Sequence, residues 1–326
     1  MNTRQTVLLT HKIPDSGLKR LQTTMNVRIL DPHLPIEPQL RDLLPTADYL
    51  VSLLSVQITE ELLANAQSLQ GIANYAVGYN NIDLLAAEKY GIQVTNTPDV
   101  LTNATADLVW GLILAVTRRI VEGDAICRKK AFTGWEPNYL LGFELSQKTL
   151  GIIGLGRIGR AVARRATCFD MSILYHSRSR KTDLENDLNL SFQPNLDDLL
   201  TESDVVSIHV PYLKGTHHLI TTRELSLMSP SAFLINTSRG KVVEEKALIL
   251  ALQEGSIAGA GLDVFYDEPH IPEALIKLPN CVLTPHIGSA TVSTRNAMAE
   301  MVVDNILAMV RGEEPPNLVP ELKIRE

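Results

Sequence analysis

An arginine, a glutamate and a histidine each stand just past a short apolar run in the second half of the chain. Asn236-Thr237-Ser238-Arg239-Gly240 closes one run with a cation. Leu262-Asp263-Val264-Phe265-Tyr266-Asp267-Glu268-Pro269 closes another with acids, and Thr284-Pro285-His286-Ile287-Gly288 closes a third with an imidazole. Reduction of a 2-ketoacid asks for such a set. The carbonyl must take a proton as hydride arrives, which suits a histidine whose pKa lies near neutrality. A carboxylate beside the ring would raise that pKa and fix the ring's orientation. A guanidinium can grip the substrate carboxylate and stabilise charge on the carbonyl oxygen. Each residue alone has a structural alternative, and a lone loop histidine is more often structural than catalytic. The three together, at the carboxyl ends of strands where open α/β sheets bind ligands, argue against coincidence.

A glycine turn strengthens that reading. Gly154-Leu155-Gly156-Arg157-Ile158-Gly159 follows the apolar run Thr149–Ile153 and opens a helical pattern from Arg157 to Ala166. In a dinucleotide-binding turn the first glycine permits the tight bend and the second admits the pyrophosphate. The third lets helix and strand approach closely. The helix N-terminus then offers free N–H groups and a positive dipole end to the anion. Further on, Tyr175 is followed by His176-Ser177-Arg178-Ser179-Arg180, with no acid. NAD-specific sites place a carboxylate there, which would repel a 2′-phosphate, whereas hydroxyls and a guanidinium would bind one. The expected cofactor is therefore NADPH, with NADH as a weaker alternative. An ordinary basic loop is the competing explanation.

The elements that must position these residues alternate between strand and helix. Strands are expected at 7–9, 27–30, 49–54, 72–76 and 94–95, with helices near 15–24, 37–44, 59–66 and 82–90. A long helix is expected over 103–128. A second α/β series follows, with strands at 149–153, 173–175, 205–208, 233–235, 259–262 and 282–284, and a final helix over 291–310. Such alternation predicts parallel sheets covered on both faces. The 326 residues favour two domains. Thirty Lys and Arg against 37 Asp and Glu leave a net charge of −7, which argues against a nucleic-acid partner. The three cysteines are widely spaced and in no CxxC pair, so they read as reduced thiols. No run approaches the ~18 apolar residues of a membrane span, and no signal peptide is apparent. The expectation is a cytoplasmic protein with no membrane partner. No His, Cys and Asp cluster has metal-ligand spacing, so no metal is expected.

These segments resemble the D-isomer-specific 2-hydroxyacid dehydrogenases, and within them the glyoxylate/hydroxypyruvate reductases. The resemblance runs through residues 74–83, 94–98, 150–160, 236–243, 261–269 and 284–291. It implies two doubly wound parallel-sheet α/β domains, Rossmann-like and flavodoxin-like, with the active-site cleft between them. A discontinuous substrate-binding domain would span 1–99 plus 288–326, and the dinucleotide-binding domain 100–287. Arg239, Glu268 and His286 match the family's catalytic residues. The resemblance also implies that the amides of Val77 and Gly78 hold the substrate carboxylate and that Leu54 lies near the substrate. Trp135 matches a tryptophan that closes the neighbouring subunit's site, with plain packing as the alternative. Cofactor contacts are expected from Thr105, Gly154, Leu155, Gly156, Arg157, Ile158, Gly159, Ser177, Arg178, Ser179, Val210, Pro211, Thr216, Thr237, Ser238, Asp263, His286 and Gly288. Many relatives carry Asp where this chain has His176, which again points to NADPH. Family members are typically homodimers joined through the nucleotide domains and an arm near residues 120–145.

The combined expectation is NADPH-dependent reduction of a small 2-ketoacid, glyoxylate and also hydroxypyruvate, to glycolate and D-glycerate. Another D-2-hydroxyacid dehydrogenase, of the D-lactate or phosphoglycerate type, is the nearest rival. A non-catalytic dinucleotide-sensing corepressor is the rival from a different class.

Overall fold

Strands buried on both faces read as continuous apolar runs, because helices cover both sides of a parallel sheet. The computed structural model describes residues 4–323 and follows that rule twice. The chain divides into two units, one running to Leu101 and resuming at Ala290, the other Thr102–Ser289. Each division lies two residues beyond its expected position.

The first unit holds β1 (Thr6–Leu9), β2 (Asn26–Ile29), β3 (Tyr49–Ser52), β4 (Gly71–Asn74) and β5 (Gln93–Thr95). They form one parallel sheet in the order β2-β1-β3-β4-β5. Successive side chains point to opposite faces. Accordingly Leu8, Leu50, Ile72 and Val94 join one core. Val7, Leu9, Val51 and Ala73 join another with Met298, Val302 and Ile306 of the last helix, Val292–Val310.

The second unit holds β6 (Thr149–Ile153), β7 (Ser172–His176), β8 (Leu190–Phe192), β9 (Val205–Ile208), β10 (Phe233–Asn236), β11 (Gly259–Leu262) and β12 (Cys281–Leu283). Their order is β12-β11-β10-β9-β6-β7-β8, all parallel. The chain reverses its direction of winding at β6, and ligands of open α/β sheets bind where that reversal leaves a crevice.

Three expectations need correcting. The helix expected over 103–128 is two helices, Thr102–Thr117 and Ile120–Arg128, broken where Arg119 turns left-handed at φ 53°. The apolar stripe of the first helix does not continue, since Ile120 and Val121 are more than half exposed. β8 is an additional strand, which forms no apolar run because Ser191 interrupts Leu190 and Phe192. The strands expected over 49–54 and 72–76 stop at Ser52 and at Asn74, whose side chain turns to the loop beyond it. Among the described residues, no helix is long and apolar enough to cross a membrane.

Candidate active site

In the second unit, three loops beyond strand ends carry the charged residues. Asn236 ends β10 and is buried. Its Oδ1 accepts from the Ser238 amide at 3.0 Å and the Ser238 hydroxyl at 2.9 Å, while its Nδ2 donates to the Arg239 carbonyl at 3.0 Å. This closes the turn that presents Arg239, whose Nη1 donates to the Ser238 carbonyl at 2.6 Å. Burial lowers the Arg239 pKa, and the charge of Glu268 acts against that shift. Gly240 then runs tight against the next loop: a Cβ there would lie 1.9 Å from the Phe265 carbonyl oxygen.

That next loop carries Glu268. Its Oε1 accepts from the Phe265 amide at 3.0 Å, and its Oε2 lies 2.7 Å from His286 Nδ1. Burial pushes the Glu268 carboxyl up. The His286 hydrogen bond and charge, the Phe265 amide and Arg239 together bring it below the usual carboxylate value. The pairing occupies Nδ1 of His286 and leaves Nε2 with no partner among the described residues. Both side chains keep about a third of their surface accessible. His286 itself sits at φ 53°, a backbone conformation that side chains other than glycine adopt at a cost and that clusters at functional sites.

Buried Asp263, just past β11, holds this strained turn. Its Oδ1 accepts from the Thr284 hydroxyl at 2.6 Å and the Ile287 amide at 2.8 Å, and its Oδ2 from the Gly288 amide at 2.8 Å. Burial raises its pKa, opposed by these three donors and by His286. Thr105 closes the other side by donating to the Gly288 carbonyl at 3.2 Å.

The glycine turn after β6 packs tightly at two of its three glycines. Gly154 has φ 98°, and a Cβ there would meet the His209 carbonyl carbon at 2.9 Å. A Cβ on Gly159 would sit 2.3 Å from the Gly154 carbonyl oxygen, whereas one on Gly156 would meet nothing within 4 Å. Leu155 is buried, and no side chain caps the helix Arg157–Ala166. Just past β10, the Thr237 hydroxyl is buried with no partner among the described residues. An open approach over Gly156, an uncapped helix start and an orphaned hydroxyl fit a phosphate-bearing dinucleotide. Among the other expected contacts, Val210 packs partly into the core, and the Thr216 hydroxyl donates to the Pro211 carbonyl at 2.7 Å.

After β7, the Ser177 hydroxyl donates to the Ser179 carbonyl at 2.7 Å, and His176 Nδ1 lies 3.0 Å from the Gln193 carbonyl. Arg180 is held by Glu185 at 2.7 Å. Arg178 is exposed and forms no ion pair among the described residues. His209, which the sequence did not single out, lies beside the glycine turn. Burial holds its pKa down at about 3, and Ser207 Oγ stands 2.8 Å from its Nε2.

Leu54, Val77 and Gly78 belong to the first unit, beyond β3 and β4, and each is half-buried. Trp135 lies in the second unit, 82% exposed, so it is not a core residue of its own chain. Among the described residues, no group of three His, Cys, Asp or Glu could hold a metal ion.

Known proteins agree with this architecture. The family model described as "D-isomer specific 2-hydroxyacid dehydrogenase, NAD binding domain" matches residues 110–288. The glyoxylate reductase of Thermococcus litoralis is 52% identical over 318 residues, covering 96% of each chain. That of Pyrococcus horikoshii is 51% identical, covering 98% of each. Among solved structures, an NADPH-dependent glyoxylate/hydroxypyruvate reductase from Sinorhizobium meliloti, in complex with NADP and malonate, superposes with a TM-score of 0.87. It is 36% identical and covers 99% of each chain. This chain belongs to the D-isomer-specific 2-hydroxyacid dehydrogenase family and is an NAD(P)-dependent oxidoreductase. Its cofactor is a nicotinamide dinucleotide.

Proposed function

We propose that the protein reduces glyoxylate, and also hydroxypyruvate, with NADPH, giving glycolate and D-glycerate, and that His286 is the proton donor. The observation that carries this reading is the 2.7 Å contact between Glu268 and His286 Nδ1. Glu268 occupies Nδ1 and fixes the ring, so that Nε2 is the nitrogen left to protonate the carbonyl oxygen. Arg239 stabilises the charge that gathers on that oxygen, and the Val77 and Gly78 amides take the carboxylate. The reduced nicotinamide, when bound, supplies the hydride. The turn Gly154–Gly159, Ser177, Arg178, Thr237 and Ser238 hold the dinucleotide. The open guanidinium of Arg178 and the lack of an acid after Tyr175 favour the 2′-phosphate of NADPH, with NADH used more weakly. The names of the curated relatives support the choice of glyoxylate. The protein works as a homodimer, in which the exposed Trp135 closes the partner's site and limits substrate size.

Steady-state oxidation of NADPH and NADH against a panel of 2-ketoacids tests the reading. Glyoxylate with NADPH should give the highest kcat/KM, and bulky branched ketoacids should lose about 1–3 kcal/mol per excess methylene. Preference for pyruvate or a phosphorylated hydroxyacid would favour the rival dehydrogenases. Dinucleotide binding without turnover would favour a sensor.

A further inference from the structure

We infer that Asn96 is a positioning residue for the substrate: its side chain aims the Gly78 amide at the ketoacid's carboxylate. This rests on the reading that the Val77 and Gly78 amides receive that carboxylate. Asn96 Nδ2 donates to the Val77 carbonyl at 2.7 Å, across 19 residues of sequence. Among the described residues the only cis peptide is Glu268–Pro269, so the 77–78 peptide is trans. In a trans peptide the C=O and N–H of one plane point in opposite directions. Drawing the Val77 oxygen toward the Asn96 side chain, just past β5, therefore turns the Gly78 N–H away from β5.

The flanking peptides are pinned in the same way. The Ala76 carbonyl accepts from the Thr97 amide at 2.8 Å, and the Gly78 carbonyl from Asn74 Nδ2 at 2.8 Å. Three successive carbonyls are thus bonded, while no described residue accepts from the Val77 or Gly78 amide. Two adjacent N–H donors held this way form a concave seat for an anion.

Asn96 has little freedom to relax. Its amide donates to the Asn317 carbonyl at 3.2 Å, and its carbonyl accepts from Asn305 Nδ2 at 3.4 Å. Asn305 is fully buried and also accepts from the Asn317 amide at 3.0 Å. Asn74, by contrast, is tied to Ser52 and Asn81 as well as to Gly78, so its removal would disturb a whole network. The Asn96 side chain is the separable member.

The test uses full-length protein, glyoxylate as substrate and oxamate as a non-reacting carboxylate probe. Asn96→Ala should raise the glyoxylate KM and the oxamate Kd by about 10-fold each, the scale of one lost hydrogen bond. kcat and the cofactor KM should stay within about threefold, since the hydride and proton donors are untouched. Asn96→Asp keeps the shape but sets an acceptor against the Val77 carbonyl, so it should weaken oxamate more than Asn96→Ala does. A side chain that merely fills space would tolerate Asp at least as well as Ala. In glycine-¹⁵N-labelled protein, the Gly78 amide resonance, assigned with Gly78→Ala, should move on oxamate binding to the wild type. If it does not move, the carboxylate reading itself fails. If it moves and both Asn96 variants bind oxamate as tightly as the wild type, the role given to Asn96 alone is overturned. Should Asn96→Ala not fold, Asn96→Asp decides by the same comparison.

Discussion

Gly240→Ala places a methyl group where the fold has no room, at the joint between the Arg239 and Glu268 loops. The new Cβ would stand 1.9 Å from the Phe265 oxygen, 2.0 Å from its carbonyl carbon and 2.5 Å from the Tyr266 nitrogen. All three are backbone atoms, so no flexible side chain can swing aside. The Phe265 amide holds Glu268, and the Tyr266 amide donates to Glu245 at 3.2 Å. Restoring an ordinary carbon–oxygen contact of about 3.3 Å requires the loops to part by about 1.4 Å. Either Arg239 leaves its place or Glu268 withdraws from His286. A misplacement of about 1 Å can cost 10²-fold in rate. We therefore expect kcat/KM to fall by at least about 100-fold, or about 2.7 kcal/mol of transition-state stabilisation. Dinucleotide affinity should fall less than turnover, because the glycine turn after β6 is untouched while Thr237 and Ser238 share the displaced loop. Gly156→Ala supplies the opposite case, since a Cβ there meets no protein atom within 4 Å. That variant should keep its Tm yet lose dinucleotide affinity. Cofactor titration, thermal melts and steady-state kinetics on both proteins make the comparison. Near-normal turnover in Gly240→Ala would refute the coupling of the two loops.

His286→Ala should lower turnover by about 10²–10⁴-fold while dinucleotide binding persists, and near-normal turnover would remove it from the mechanism. Glu268→Gln removes the carboxylate that holds His286 Nδ1 at 2.7 Å, so kcat should fall while dinucleotide binding persists, and an unchanged kcat would detach Glu268 from the mechanism. Arg178→Ala should weaken NADPH by roughly 10- to 150-fold and leave NADH nearly unchanged, with His176→Asp acting in the opposite sense. Equal weakening of both cofactors would mean that Arg178 only supports its loop. His209 is neutral in the fold down to about pH 3, whereas the unfolded chain takes up its proton near 6.5. Its contribution to stability is therefore intact above 6.5 and is lost as pH falls from there, by about 2 kcal/mol by pH 5. His209→Gln should accordingly lose less Tm between pH 7.5 and 5 than the wild type, and parallel losses would contradict the burial argument.

Much of the fold was legible because both sheets are buried on two faces. Their central strands are mostly apolar and alternate with helices, a pattern that few architectures share. The helix Arg157–Ala166 begins and ends where its periodicity placed it. The break at Arg119 was hidden because Ile120 and Val121 prolong the apolar pattern while lying exposed. Hydropathy reports a side chain's preference and is blind to a surface where that preference goes unmet.

The candidate site was legible in a different measure. Arg239, Glu268 and His286 stand out because charge is rare at the ends of apolar runs. The residues that hold the site in shape are mostly uncharged, and Asn or Ser near a turn is too ordinary to attract notice. Their positions nevertheless follow a rule. Ser52, Asn74 and Asn236 are the last residues of β3, β4 and β10, while Asn96 and Asp263 come directly after β5 and β11. A loop leaving a parallel strand has no ladder to satisfy its backbone, yet loops bearing reactive groups must keep their shape to within a fraction of an ångström. A short polar side chain at the strand's end inherits the strand's rigidity and reaches only one or two turns of the loop beyond. Asn236 thereby fixes Arg239, Asp263 fixes the turn of His286, and Asn74 and Asn96 fix the peptides around Gly78. A lone Asn, Asp or Ser closing an otherwise apolar parallel strand is thus a signal that the amino-acid sequence itself carries, and it marks the loops whose geometry must hold.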